Sequence, residues 1–321
     1  MEIRITKKEL TEIVYDAYEH CKRIKDGNNA GYIPYLAKEN SELFGITLCM
    51  VDGDVINVGD CEHVFGVESI SKVATALMVL KDYGCETVLK MIGADATGLP
   101  FNSIMAILLE NDHPSTPLVN AGAIAAVSMV RPVGNRGQKW KAICDNMNAL
   151  CGSRTEFIDE LYRSEALSNF KNRSIAWLLK DYNRIYDDPE LSLDLYTRQC
   201  SLGVTTGQLA IFAATIANGG VNPVSGVRMF ENHLASKITS MMASVGFYEH
   251  SGDWLFSSGL PAKTGVSGGI IGVLPGLFGI AAFAPPIDEA GNSVKAQAAI
   301  KYIMDKTGFN VFESGNIRID E

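Results

Sequence analysis

Residues 7 to 24 set Leu10, Ile13, Val14 and Ala17 at helical spacing among charged positions, which predicts an amphipathic helix near the start of the chain. The period then changes. Between Leu43 and Asp60 the run Phe44-Gly-Ile-Thr-Leu-Cys-Met-Val, a turn at Asp52-Gly53-Asp54 and Val55-Ile-Asn-Val read as a hairpin. From Ser69 the helical period returns, with Ile70, Val73, Leu77 and Leu80 on one face and Gly84 as a stop. Residues 85 to about 229 contain no run that reads as a strand, whereas 140–151, 155–164, 172–182 and 206–218 read as helices. The remainder switches back. It predicts strands at Trp254–Ser258, Ala262–Val266, Gly269–Val273 and, past a Pro275-Gly276 turn, Phe278–Phe283, before a terminal helix from Val294 to Lys306.

Strands at both ends and helices between them predict an α+β fold in which an antiparallel sheet, flanked by helices, is built from both termini. One lobe would comprise residues 1–85 plus 230–321, and an inserted all-helical lobe residues 86–229.

Composition narrows the function classes. The 321 residues are 47% hydrophobic and 20% charged, enough to bury a large core, and 28 basic against 37 acidic residues leave a net charge of −9. Binding to nucleic acid or to an anionic membrane surface is therefore not expected. The seven cysteines (Cys21, Cys49, Cys61, Cys85, Cys144, Cys151, Cys200) are odd in number and never form a C-x-x-C pair, which reads as reduced thiols rather than a disulfide framework or a zinc site. The five histidines show no metal-ligand spacing, so neither metal nor cofactor is expected. The amino terminus is charged with no apolar leader, and the longest apolar stretch, Gly268 to Ile287, is broken by glycines and three prolines. A cytoplasmic location is the expectation.

Ser69-Ile70-Ser71-Lys72 is the first candidate for chemistry. A serine hydroxyl needs a base, and a lysine one helical turn later lies on the same face; once desolvated, it can take a proton at neutral pH. The start of a helix also favours developing negative charge. A helix-capping serine beside a solvated lysine is the competing explanation, and the pattern recurs at Ser168 and Lys171. Lys263-Thr264-Gly265 is the second candidate. It also recurs, at Lys306-Thr307-Gly308, where a helix C-terminus suffices to explain it. The copy at 263 is followed by Val266-Ser-Gly-Gly, a strand with little side-chain bulk along which a substrate can approach the main chain and borrow an N–H.

S-x-x-K followed downstream by K-T-G on a strand is the signature of serine enzymes of the penicillin-recognising fold, although the S-x-N or Y-x-N element is absent between them. The intervening motifs point elsewhere. The chain carries Gly31-Tyr32-Ile33-Pro34-Tyr35, Pro117-Leu-Val-Asn120-Ala-Gly-Ala, Ser164-Glu165, Asn172-Arg173, Tyr196-x-x-x-Cys200-Ser201, Gly246-Phe-Tyr248, Gly259-Leu-Pro-Ala-Lys-Thr-Gly-Val266 and Gly291-Asn-Ser. In that order it resembles the serine-dependent glutaminase family, from about Tyr32 to Ser293. Thr116 stands where that family often has asparagine, and Thr264 where serine is common.

The resemblance implies a β-lactamase/transpeptidase-like fold, hydrolysis of L-glutamine to glutamate and ammonia, and a homo-oligomer, dimer or tetramer. It implies Ser69 as nucleophile and Lys72 as its base, with substrate contacts from Tyr32, Ser69, Asn120, Glu165, Asn172, Tyr196, Tyr248 and Val266, and support from Lys263, Thr264 and Gly265. Charge complementarity fits: Glu165 can pair the substrate's α-ammonium, while Asn120, Asn172 and Tyr32 can hold its α-carboxylate. Tyr248 is expected to relay a proton to the leaving ammonia, and Tyr196 to steady the site. Another serine amidohydrolase of this fold, acting on a β-lactam or peptide, and a non-catalytic amino-acid-binding protein are the alternatives.

Overall fold

The computed structural model describes residues 3–109, 113–313 and 317–320. Its centre is an antiparallel sheet of β1 (Gly45–Met50), β2 (Val55–Gly59), β3 (Ala262–Thr264), β4 (Gly269–Leu274) and β5 (Phe278–Phe283), in the spatial order β2-β1-β5-β4-β3. The N-terminal hairpin therefore pairs with strands from the far end of the sequence, Gly45 lying opposite Phe283 and Met50 opposite Phe278. Strands β1, β4 and β5 are buried along their whole length, whereas β2, at the edge, alternates exposed and buried residues. A strand covered on both faces loses its polar alternation, because successive side chains enter two different cores.

Six helices frame this sheet and the site: α1 (Lys7–Cys21), α2 (Ser71–Tyr83), α3 (Asn120–Met129), α4 (Pro189–Cys200), α5 (Thr206–Ala217) and α6 (Val294–Thr307). On one face Ile46, Leu48, Ile270, Ile280 and Ala282 join Leu10 and Val14 of α1 and Ile300 and Ile303 of α6. On the other, Cys49, Ile271, Val273, Ala281 and Phe283 join Leu209 and Phe212 of α5 and continue into the helical part of the molecule. Helix α3 is buried on every side, which its run of alanine and other small residues permits. Local signals agree with the packing: Thr6 and Glu9 form a capping box at the start of α1, as do Thr205 and Gln208 at α5.

Three expectations change. Trp254–Ser258 belongs to a helix, Ser251–Ser258, rather than a strand; Trp254 and Ser258 are buried one turn apart, and Phe256, which a strand would also turn inward, is 93% exposed. The span 86–229 is not all helix, since Glu156–Phe157 and Leu202–Val204 form a small sheet with Phe65–Gly66, too short for any period to reveal. Within that span α5 packs on the main sheet, because its apolar residues face β1, β4 and β5. The expected strand at Ala262–Val266 ends at Thr264, which leaves Val266 in the following turn. Helices at Cys85–Met91, Ile104–Leu109 and Asn232–Val245, and a parallel pairing of Ile3–Thr6 with Ile317–Asp320, complete the fold; in Asn232–Val245 the buried Leu234, Ile238, Met241 and Val245 recur at a helical spacing that sequence reasoning missed. Among the described residues no helix is long and apolar enough to cross a membrane.

Candidate active site

Strand pairing places the serine. Phe65–Gly66 pairs with Gly203–Val204, Val67 N–H donates to Leu202 O at 2.7 Å, and the chain then makes a tight turn, Glu68–Ile70, that opens into α2. Ser69 sits in the turn and Lys72 in the first turn of α2, both buried. Lys72 Nζ donates to Ser69 Oγ at 2.7 Å and to Asn120 Oδ1 at 2.7 Å. Burial pulls the Lys72 pKa down to about 8, against the raising effect of Cys200, Glu68 and Glu165.

Asn120, the first residue of α3, does not cap its helix. Its Oδ1 also accepts from Tyr196 OH at 3.0 Å, and its Nδ2 donates to Asn172 Oδ1 at 2.8 Å. The loop before it is fixed by contact: a Cβ on Gly122 would lie 1.8 Å from Thr116 O, so only glycine lets that segment rest on α3. Thr116, the departure from the family pattern, is fully buried there.

A third segment approaches from the sheet. Tyr248, held at φ 55°, donates to Thr264 O at 3.4 Å and lies beside Ser69; burial drives its phenol well above the ordinary range, which the neighbouring Ser69 only partly opposes. The phenol therefore stays neutral and can pass a proton but not act as a phenolate. Lys263 Nζ lies 4.2 Å from the centre of the Tyr248 ring and donates to Gly246 O and Thr264 O, packing beneath the tyrosine. Burial, then the Lys72 charge, push Lys263 well below the usual lysine range. Beyond it the chain runs against the serine turn, where a Cβ on Gly265 would meet Val67 O at 3.0 Å and Glu68 Cβ at 3.1 Å.

These segments enclose a pocket of about 140 Å³. Tyr32, Ser69, Asn120, Glu165, Asn172, Tyr196 and Val266 all line it, brought from seven separate stretches of sequence; Tyr248 lies beside Ser69 without lining it. Tyr32 stands at the mouth, 60% exposed. Ser168 and Lys171, the second S-x-x-K, are exposed at its margin, where the Ser168 hydroxyl bonds back to Ser164 O and Glu165 O. The second K-T-G closes α6, with Gly308 in the left-handed cap position. A larger cleft of about 440 Å³ beside Arg136, Tyr162, Arg173 and Asp194 has no serine paired to a buried base.

Sequence reasoning missed Glu68, Phe101 and Cys200 as lining residues. Glu68 is 3% exposed, its backbone is at φ 49°, and its carboxyl meets that of Glu165. Burial and the Glu165 charge push Glu68 well above the usual carboxylate range; burial lifts Glu165 to about 7, with Glu68 and the Lys72 charge pulling it back. The available signal was a lone carboxylate within the apolar run Val64-Phe-Gly-Val-Glu-Ser-Ile70. Among the described residues no group of three His, Cys, Asp or Glu side chains could hold a metal ion.

Known proteins resemble this chain closely. The family model described as glutaminase matches residues 27–312. A glutaminase of Parabacteroides distasonis is 64% identical over 319 residues, 99% of both chains, and one of Bacteroides fragilis is 63% identical over the same span, again 99% of both. A solved structure described as the probable glutaminase ybaS superposes with a TM-score of 0.94 at 42% identity, covering 97% of this chain and all of the other. The architecture is the β-lactamase-like α+β fold. On the family match over most of its length and on relatives above 60% identity across nearly all of it, the chain belongs to the glutaminase family, enzymes that hydrolyse glutamine.

Proposed function

We propose that this protein hydrolyses the side-chain amide of L-glutamine through a glutamyl ester on Ser69, with Lys72 as the base. The carrying observation is the Lys72 amine set at 2.7 Å from both Ser69 Oγ and Asn120 Oδ1 in a pocket that lowers its pKa. A neutral amine can keep one N–H on Asn120 and turn its lone pair to the serine proton.

Ser69 Oγ attacks the amide carbon as its proton passes to Lys72. The oxyanion is held by the backbone N–H groups of Ser69 and Val266, a reading supported by the close approach of Gly265 to the serine turn. The carbon–nitrogen bond breaks as the proton reaches the departing nitrogen through Tyr248, and ammonia leaves. Water then attacks the ester, Lys72 takes its proton, and glutamate departs as Ser69 recovers its hydrogen. At the other end, Glu165 pairs the α-ammonium, and Asn120, Asn172 and Tyr32 hold the α-carboxylate, each contact strengthened by the substrate's charges. Tyr196 holds Asn120 in position.

The division into a lobe from both termini, with α5 packed on its sheet, and a mainly helical lobe within 86–229, a homo-oligomeric state and a cytoplasmic location belong to the same proposal. Supporting the last, all seven cysteines are free thiols.

An ammonia-release assay with glutamine tests the mechanism. Ser69→Ala and Lys72→Ala should each lose at least about a thousandfold in kcat, and rapid quenching of the wild type should trap a glutamyl adduct on Ser69. An adduct on another residue would overturn the assignment.

A further inference from the structure

Two buried carboxyl groups face each other in the pocket, and only one of them is needed to receive an ammonium. Glu68 lies in the turn that presents Ser69, Glu165 near the end of the helix Asp159–Ala166, and both line the pocket. The two carboxyls lie side by side in its wall, and on each the Oε1 atom is buried with no hydrogen-bond donor. Two ionised carboxylates offer only acceptors to one another, so an approach this close out of water requires a proton between them. The backbone agrees: Glu68 is held at φ 49°, a conformation that costs a non-glycine residue energy and directs the side chain into the pocket wall rather than to solvent.

We infer that Glu68 is a protonated carboxylic acid that donates its hydrogen to Glu165, positioning that carboxylate for the substrate's α-ammonium, and that uptake of substrate below neutral pH releases a proton from the pair. The proposal rests on Glu165 as the ammonium partner.

The surrounding groups fit. The cation facing the pair is Lys72, from α2; Tyr196, Tyr248 and Cys200 face it as neutral groups whose own titration burial pushes upward, while Tyr32 stands at the mouth and Lys171 is exposed at the margin. One cation beside one net negative charge leaves the pocket balanced with Glu68 protonated. With both carboxyls ionised the pocket would hold excess negative charge out of water. The arriving ammonium adds the positive charge that lets Glu165 ionise fully, while Glu68 keeps its hydrogen and remains a donor. Glu68 is thus a positioning residue, acting through Glu165.

Three measurements decide. In the infrared spectrum of the whole protein at pH 8.5, where Glu165 is ionised, the carbonyl band of a protonated carboxylic acid should be present and should be lost in Glu68→Gln. In steady-state assays Glu68→Ala should raise KM for glutamine by about tenfold to a hundredfold, with a smaller change in kcat, and Glu68→Gln, which keeps a neutral donor at the same place, should recover most of that loss. Finally, glutamine binding to Ser69→Ala, measured calorimetrically in buffers of different ionisation heat, should release close to one proton at pH 6, where Lys72 stays charged, and progressively less towards pH 8.

A Gln variant as impaired as the Ala variant, no carboxylic acid band sensitive to Glu68, or binding at pH 6 without proton release would each overturn the pair. If Ser69→Ala binds no glutamine at all, the substrate assignment of the pocket fails instead, and the infrared arm, which needs no substrate, still decides the state of Glu68.

Discussion

Lys72 Nζ stands 2.7 Å from Asn120 Oδ1, the same distance that separates it from Ser69 Oγ. Asn120 is thus a neutral acceptor that fixes the amine's direction without fixing its charge. Had the position been a carboxylate, the ion pair would hold the lysine protonated and useless as a base. Asn120→Asp, nearly identical in shape, should therefore move the acid limb of kcat/KM upward by about one unit or more and cut activity at pH 7 at least about tenfold. The rate of ammonia release as a function of pH checks this. An unshifted profile would mean that Lys72 does not supply the base.

The wild-type pH profile carries a sign of its own. The proposed mechanism requires Lys72 neutral and Glu165 ionised, and burial brings these groups to about 8 and about 7. Activity should rise steeply with pH below 7, rise with unit slope between 7 and 8, and level off above, until the substrate's own ammonium titrates. Initial rates at low glutamine concentration, from pH 5 to 9.5 at constant ionic strength, test the shape. A maximum near pH 6 with a fall towards 8 is incompatible with an amine base.

The two tyrosines should separate in kinetics. Tyr248 lies beside Ser69 with its phenol held neutral by burial, whereas the Tyr196 hydroxyl donates to Oδ1 of Asn120. Tyr248→Phe removes the proton path to the leaving nitrogen, and kcat should fall about a hundredfold or more with KM little changed. Tyr196→Phe removes one of two donors to Asn120 and should cost about tenfold, divided between kcat and KM. Equal losses would argue that both residues act only by packing.

Much of this arrangement is legible in the residues themselves, for reasons specific to each segment. The hairpin of β1 and β2 is announced by its turn, and Pro275-Gly276 marks the link between β4 and β5. The S-x-x-K and K-T-G motifs carry their spacing openly, but which copy matters depends on burial: Lys72 is enclosed and Lys171 is not. Trp254–Ser258 misleads because its aromatic and apolar residues fit a strand, while the decisive fact, Gly259 in a left-handed cap after a helical turn, is conformational. Glu68 is hidden differently. Nothing beside it in sequence shows that Glu165, ninety-seven positions on, closes over it, and only the three-dimensional approach turns an ordinary acidic residue into half of a carboxyl pair.

Enclosing the proposed base costs the folded chain stability. Lys72 has an ordinary pKa of 10.5 and one of about 8 in the folded chain, so between those values the unfolded amine holds a proton that the folded one does not. Stability therefore rises with pH from 8 towards 10.5, and below 8 the full penalty of an enclosed ammonium is present, on the order of 3 kcal/mol before its hydrogen bonds are counted. Lys72→Met removes the charge and fills the same space, while Tyr196 continues to satisfy Asn120 Oδ1. The variant should be inactive yet more stable than the wild type by about 1–2 kcal/mol at pH 7, with the difference shrinking as pH approaches 10. Urea unfolding at the two pH values checks it. A variant less stable at pH 7 would show that the hydrogen bonds to Ser69 and Asn120 outweigh desolvation, and that the lysine is a structural anchor as well as the proposed base.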